Sequence, residues 1–295
     1  MKSSVELLVD ARARLGECVL WCDEAEALYW TDIEGATLSR WTASDGGTRQ
    51  WSMPDRVGSF ALCAEPGLLL VGFAAGVALF DLERGVSGPL IAVEPGEPTT
   101  RINDGRCDAQ GRFVFGMFNL AEAPIGHFYR VDAGLAVERL PLPPVGVANS
   151  IAFSPDGSRM YFADSPTRCI HSVDYHADGR LGTPRLFVQL GADAGFPDGS
   201  AVDAKGGLWN AHWDGSCVVR YDAAGVETAR IALPVSRPTC PAFGGNDLDR
   251  LFISSARIGL GDEKLATQPN AGGIFTAVPG QRGQRERRFA TTLRV

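Results

Sequence analysis

The chain has 295 residues, 45% hydrophobic and 21% charged, with 35 glycines and a formal net charge of −7. This composition supports a sizeable globular core, and the acidic balance argues against nucleic acid or an anionic membrane surface as a partner, because both reward a basic footprint. The N-terminal residues lack a signal peptide's apolar run and cleavage site, no window nears the roughly 18 apolar residues of a membrane span, and seven scattered cysteines form no disulfide pattern. A cytoplasmic protein with reduced thiols is therefore expected.

Along the chain, short β-rich runs recur: ALYWTDI, GLLLVGF, RFVFGMF, RMYFADS, GLWNAHW and RLFISSA. Each follows an apolar segment and a tight turn of Gly, Asp, Asn or Pro, the pattern of an all-β protein. A third strand follows in TLSRWTA, GVALFDL, HFYRVDA, CIHSVDY and CVVRYDA, and a fourth is readable in RLFVQL and TARIALP. Tyr29, Leu70, Val114, Tyr161, Trp209 and Phe252 then fall at one position of a unit repeating every ~40–50 residues, a propeller-blade spacing. The expected fold is all-β: a six-bladed β-propeller of four-stranded antiparallel blades, one domain over residues 1–295. Ring closure requires the N- and C-terminal strands to pair, and VELLVD (5–10) with RRFATTL (287–293) are the candidates. Two packed β-sandwiches would not space their strands so regularly.

Innermost propeller strands line a central channel, so equivalent residues form a ring around its mouth. Asn103 lies ten positions before Phe113, and Asp198 ten before Leu208. Asn149 and Glu17 lie eleven before Met160 and Leu28, each with a turn one residue longer. The same count reaches Gly58–Ser59 in the second unit and Cys240–Pro241 in the sixth. Buried carboxylates are costly unless paired or bound to a cation. Two carboxylates with two amides, and no imidazole or thiolate, suit a hard cation such as Ca²⁺, Mg²⁺ or Mn²⁺. Any one of the four could instead be a turn-entry residue bonding its own backbone.

Other features carry less. Cys18 and Cys22 are spaced like half a zinc site that no second pair completes. His212 reads as structural, Trp213 as strand packing or a sugar-stacking ring, and basic GQRGQRERR (280–288) as a solvated loop between two strands. The strongest local motif of a serine hydrolase, the G-x-S-x-G elbow, is absent.

LGECVLW, RINDGRCDAQGRFVFG, NSIAFSPDGSRMYFADS, FPDGSAVDAKGGLW, RPTCPAFGGNDLDRLFISSA and GLGDEKLATQPNAGGIF resemble, in order, successive motifs of the regucalcin/gluconolactonase family of sugar lactonases. The resemblance covers nearly the whole chain. It implies hydrolysis of an aldonolactone with one divalent cation in the channel (Ca²⁺, Mg²⁺, Mn²⁺ or Zn²⁺), held by Glu17, Asn149 and Asp198. It further implies substrate contacts from Arg101 and Asn103, with Glu122 matched more loosely. Asp198 is the candidate general base, alongside metal-bound hydroxide, and Asp104 has a supporting place. The chain has Cys18-Val19 where the family often has Gly-Pro. Two alternatives are hydrolysis of another ester or phosphotriester at the same site and a non-catalytic calcium-binding propeller. The register also separates two PDGS sequences: Asp156 closes a hairpin, whereas Asp198 lies on the ring.

Overall fold

A computed structural model describes residues 5–295; the first four residues of the segment read above for a signal peptide lie outside it. Six antiparallel sheets follow one another in chain order. Blade 1 runs outward through Gly16–Cys22, Ala27–Asp32, Thr37–Thr42 and Thr48–Ser52. The inner strands of blades 2 to 6 are Val57–Leu62, Thr100–Cys107, Ala148–Phe153, Phe196–Val202 and Pro238–Gly244. In blade 2 the outer edge is split, with Val86–Ser87 and Ile91–Ala92 both pairing with Gly76–Asp81.

Inner strands are packed on both faces by neighbouring blades, so they are buried along most of their length rather than on alternate residues. Val57–Leu62 is buried along its whole length, whereas the outer strand Thr48–Ser52 buries only Trp51. Six hydrophobic clusters fill the six spaces between consecutive blades. The cluster of Val19, Trp21, Leu28, Cys240 and Phe252 joins the last blade to the first and makes the ring. Trp21 stacks on Phe252 there at 5.5 Å. At roughly 1.5–3 kcal/mol per fully buried large apolar side chain, these clusters are the main source of cohesion between blades.

Hairpin aspartates set the turns. Asp203 accepts N–H bonds from Lys205 and Gly207 through Oδ1 and binds Trp209 Nε1 and Arg220 Nε through Oδ2. Asp108 does the same for Gln110 and Arg112. Asp156 of the first PDGS accepts the hydroxyls of Ser154 and Ser158 and the backbone N–H of Ser158, as a turn residue should.

The ring closes as the strand Glu6–Val9 pairs antiparallel with Ile274–Ala277, forming the outer edge of blade 6. The partner is thus not RRFATTL, the candidate from the sequence. That segment passes under the propeller. Phe289 is wholly buried and bridges Cys63 in parallel, Arg282 and Gly283 bond to blades 5 and 6, and Arg287 caps carbonyls at the blade 4 hairpin. Nor is 280–288 solvated throughout: Arg282 and Arg285 are exposed, but Glu286 forms an ion pair with Arg106 at 2.9 Å, with side chains only 15% and 13% exposed. The tail has the polar sequence of a loop because its polar groups satisfy the ends of the inner strands. Among the described residues no helix is long and apolar enough to cross a membrane.

Candidate functional site

Each inner strand carries a bulge near its start, where the ladder to the second strand slips by one residue. Bulges redirect side chains away from the regular pleat. In blades 1 and 4 the bulge is opened by left-handed residues, Cys18 (φ 46°) and Ser150 (φ 59°), immediately after Glu17 and Asn149. Such conformations are uncommon outside glycine. In blades 3 and 5 Asn103 and Asp198 themselves lie within the bulge.

The ladder gives one shared register for Glu17, Gly58, Asn103, Asn149 and Asp198. In the sixth blade it corrects the expected residue: Phe243 pairs with Leu251, which puts Thr239 at the ring position instead of Cys240–Pro241. Thr239 donates its hydroxyl to Gly16 O and contacts Ser254 Oγ, tying blade 6 to blade 1. Gly58 is required by crowding, since a Cβ there would collide with the carbonyl of Ile102 in blade 3.

Three expected residues form a buried polar chain. Arg101 Nη1 donates to Asn103 Oδ1 at 2.6 Å, and Asn103 Nδ2 donates to Asn149 Oδ1 at 3.2 Å and to Ala148 O at 2.9 Å. The Arg101 guanidinium lies over Phe118, 4.3 Å from the ring centre, and its Nε has no hydrogen-bond partner despite being buried. Burial, then the nearby charge of Arg56, lowers its pKa to about 10.

Glu17 and Asp198 stand within hydrogen-bonding reach of each other. Burial first, then neighbouring carboxylates, raises both pKa values: Asp104 acts on Glu17, and Glu17 followed by Asp104 acts on Asp198. Two such carboxyls cannot both be ionised without a compensating cation. The donor set of Glu17, Asp198 and the Asn149 amide is all oxygen and fits a hard cation. Among the described residues no group of three or more His, Cys, Asp and Glu is arranged to hold an ion; a cation here would rest on two carboxylates completed by an amide.

Asp104 turns downward. Its Oδ2 accepts the N–H of Ile151 at 2.7 Å, and its charge faces Arg106. Asn210, not singled out in the sequence, donates to Asp198 O at 2.7 Å and to Ser200 Oγ at 3.0 Å. Ser165, also not singled out, binds Asn149 Nδ2 at 2.8 Å. Both lie more than ten positions from the residue they hold, beyond any local spacing signal.

Glu122 is not brought into this group. It sits on an exposed rim loop with φ 57°, its N–H bonded to Asn119 O, and its charge acts on Asp164. His212 is a buried strut: Nδ1 meets Ala194 O at 2.9 Å and Nε2 meets Tyr221 Oη at 3.1 Å. Arg237 stacks on Trp213, 4.7 Å from its ring centre, occupying one face. All seven cysteines are free.

The family described as SMP-30/Gluconolactonase/LRE-like region matches residues 15–257. The L-arabinolactonase of Azospirillum brasilense is 50% identical over 98% of this chain and 96% of its own. The 6-deoxy-6-sulfogluconolactonase of Pseudomonas putida is 35% identical over 95% and 97%. The crystal structure of a calcium-binding protein, regucalcin, from Agrobacterium tumefaciens superposes with a TM-score of 0.93 at 29% identity, covering 98% of both chains.

Proposed function

Because this chain belongs to the SMP-30/gluconolactonase/LRE-like family, we propose that it hydrolyses the lactone of a five-carbon aldonic acid at the bulged mouth of its channel. The observation that carries this reading is the meeting of Glu17, Asn149, Asp198, Asn103 and Arg101 at that mouth, in a chain half identical to an L-arabinolactonase. Relatives acting on lactones support the sugar lactonase class, and the arabinolactonase favours a pentonic substrate.

Glu17, Asn149 and Asp198 would hold a divalent cation, which when bound would supply positive charge to stabilise the oxyanion of the opening lactone. The calcium-binding relative supports its presence. Asp198 accepts a proton as water oxygen bonds to the carbonyl carbon; the ring C–O bond then breaks, and the released alkoxide takes up a proton to give the hydroxy acid. The Asp198 carboxyl holds its place because Asn210 pins the backbone carbonyl of the same residue. Arg101, with its unpartnered Nε–H, donates to a substrate oxygen. Asn103 is largely committed to Arg101 and Asn149 and orients both. Free thiols throughout fit a reducing cytoplasm.

The test strips divalent ions with a chelator and follows acid release from pentono- and hexonolactones while restoring Ca²⁺, Mg²⁺, Mn²⁺ or Zn²⁺ singly. Metal-restored turnover, fastest on a pentonolactone, is expected. If no lactone opens faster than it does spontaneously, the reading fails.

A further inference from the structure

The geometry assigns Ser165 as a positioning residue that fixes which end of the Asn149 amide faces the site, an inference resting on the cation reading above. Ser165 opens a 3-10 turn after the second strand of blade 4, and it is only 8% exposed. Its N–H is bonded to Val147 O at 3.0 Å. The preceding Asp164 accepts the N–H groups of Gly146 and Val147, so this corner is anchored to the start of the inner strand that carries Asn149.

The Ser165 hydroxyl has one proton and two neighbours. Pro197 O, 2.6 Å away, can only accept, so the proton goes there. The Ser165 oxygen must then accept from Asn149, which turns Nδ2 toward Ser165 and leaves Oδ1 on the opposite side. The other end of the chain imposes the same direction. Arg101 can only donate, so Asn103 shows it Oδ1 and turns Nδ2 toward Asn149 Oδ1. A polar relay thus runs from Arg101 to Asn103, Asn149, Ser165 and Pro197 O, crossing blades 3, 4 and 5. A donor-only group starts it and an acceptor-only group ends it, so every amide in between has one allowed orientation.

The consequence is a ligand oxygen rather than an N–H directed at the cation. Pro197 immediately precedes Asp198, so Ser165 also ties the ligand of blade 4 to the strand bearing the ligand of blade 5. Without the hydroxyl, Asn149 Nδ2 loses its only hydrogen-bond partner among the described residues, and the amide is held at one end alone.

The experiment measures Ca²⁺ binding by titration calorimetry for the unaltered chain, Ser165→Ala and Ser165→Thr, each repeated in an Asn149→Asp background. A carboxylate presents oxygen whichever way it turns, so it needs no orienting partner. Ser165→Ala should weaken Ca²⁺ binding by about tenfold, within the range for outer partners of metal ligands, while Ser165→Thr stays near the unaltered chain. In the Asn149→Asp background the loss should shrink to about twofold or less. If Ser165→Ala fails to fold, Ser165→Cys, similar in shape but a poor acceptor, provides the same comparison. Equal losses in both backgrounds, or no loss with Asn149 in place, would overturn the assignment. Failure of the unaltered chain to bind Ca²⁺, and equally Mg²⁺, Mn²⁺ and Zn²⁺ titrated in its place, would instead remove the cation reading, and this inference with it.

Discussion

Asp198 joins one buried carboxyl to two demands, since the proposed chemistry needs it both as ligand and as proton acceptor. Asp198→Asn keeps shape and most ligand character while losing basicity. It should lower kcat by about 10²–10⁴-fold with a smaller change in cation affinity; near-normal turnover defeats the role. Arg101→Ala removes the donor proposed to meet substrate and should mainly raise KM, leaving Ca²⁺ binding intact by calorimetry. His212 gives a prediction about stability rather than chemistry. Burial holds its pKa down to about 4 from 6.5, so the folded chain resists a proton that the unfolded chain takes up. The stabilisation is complete above about pH 6.5 and is lost as pH falls toward 4, amounting to about 3 kcal/mol. Urea midpoints measured between pH 7 and 4.5 should fall less steeply for His212→Gln than for the unaltered chain; parallel curves would refute this. At this scale the sequence revealed Glu17, Asn103, Asn149 and Asp198 because polar side chains recur at one register of the blades, although each alone would pass for a turn residue. It did not reveal Ser165, Asn210 or Thr239, because serine, asparagine and threonine in turns and strands are ordinary and only their partners make them matter.

The elements were legible wherever burial imposed a pattern. Hairpins within blades announced themselves through Asp and Gly at turn positions, and the outer strands of blades 4 and 5 fall where RLFVQL and TARIALP were read. The bulges were less visible. A one-residue slip leaves the composition unchanged, which is why counting reached Cys240–Pro241 while the ladder places Thr239 on the ring. The tail was misread for a related reason. RRFATTL has a strand's composition, but among the described residues its only ladder contact is the Phe289–Cys63 bridge, and the closing strand is Glu6–Val9. Phe289 is completely buried among Cys63, Cys107 and Phe113 of blades 2 and 3. Phe289→Ala should therefore cost about 3–5 kcal/mol, read as a lower denaturation midpoint. An exposed-loop residue would cost almost nothing.

At the scale of the molecule, the six inner strands all run the same way, with the bulged residues at their starts. Their far ends, including Cys107, Phe153, Val202 and Phe243, line a small space of about 40 Å³ beneath which Gln284, Arg285, Glu286 and Arg287 cross. That space suits a few waters and is too small for a sugar acid. The tail therefore crosses the end of the channel opposite the bulged residues, and with that end covered substrate and product would share the opening at the bulges. With one shared opening, an aldonate would leave by the way the next lactone arrives, and the two would compete for one site. Added product acid should raise the apparent KM without lowering the maximal rate, a purely competitive pattern in steady-state assays. A non-competitive component would mean that the acid also binds the enzyme with lactone in place, against a single shared site.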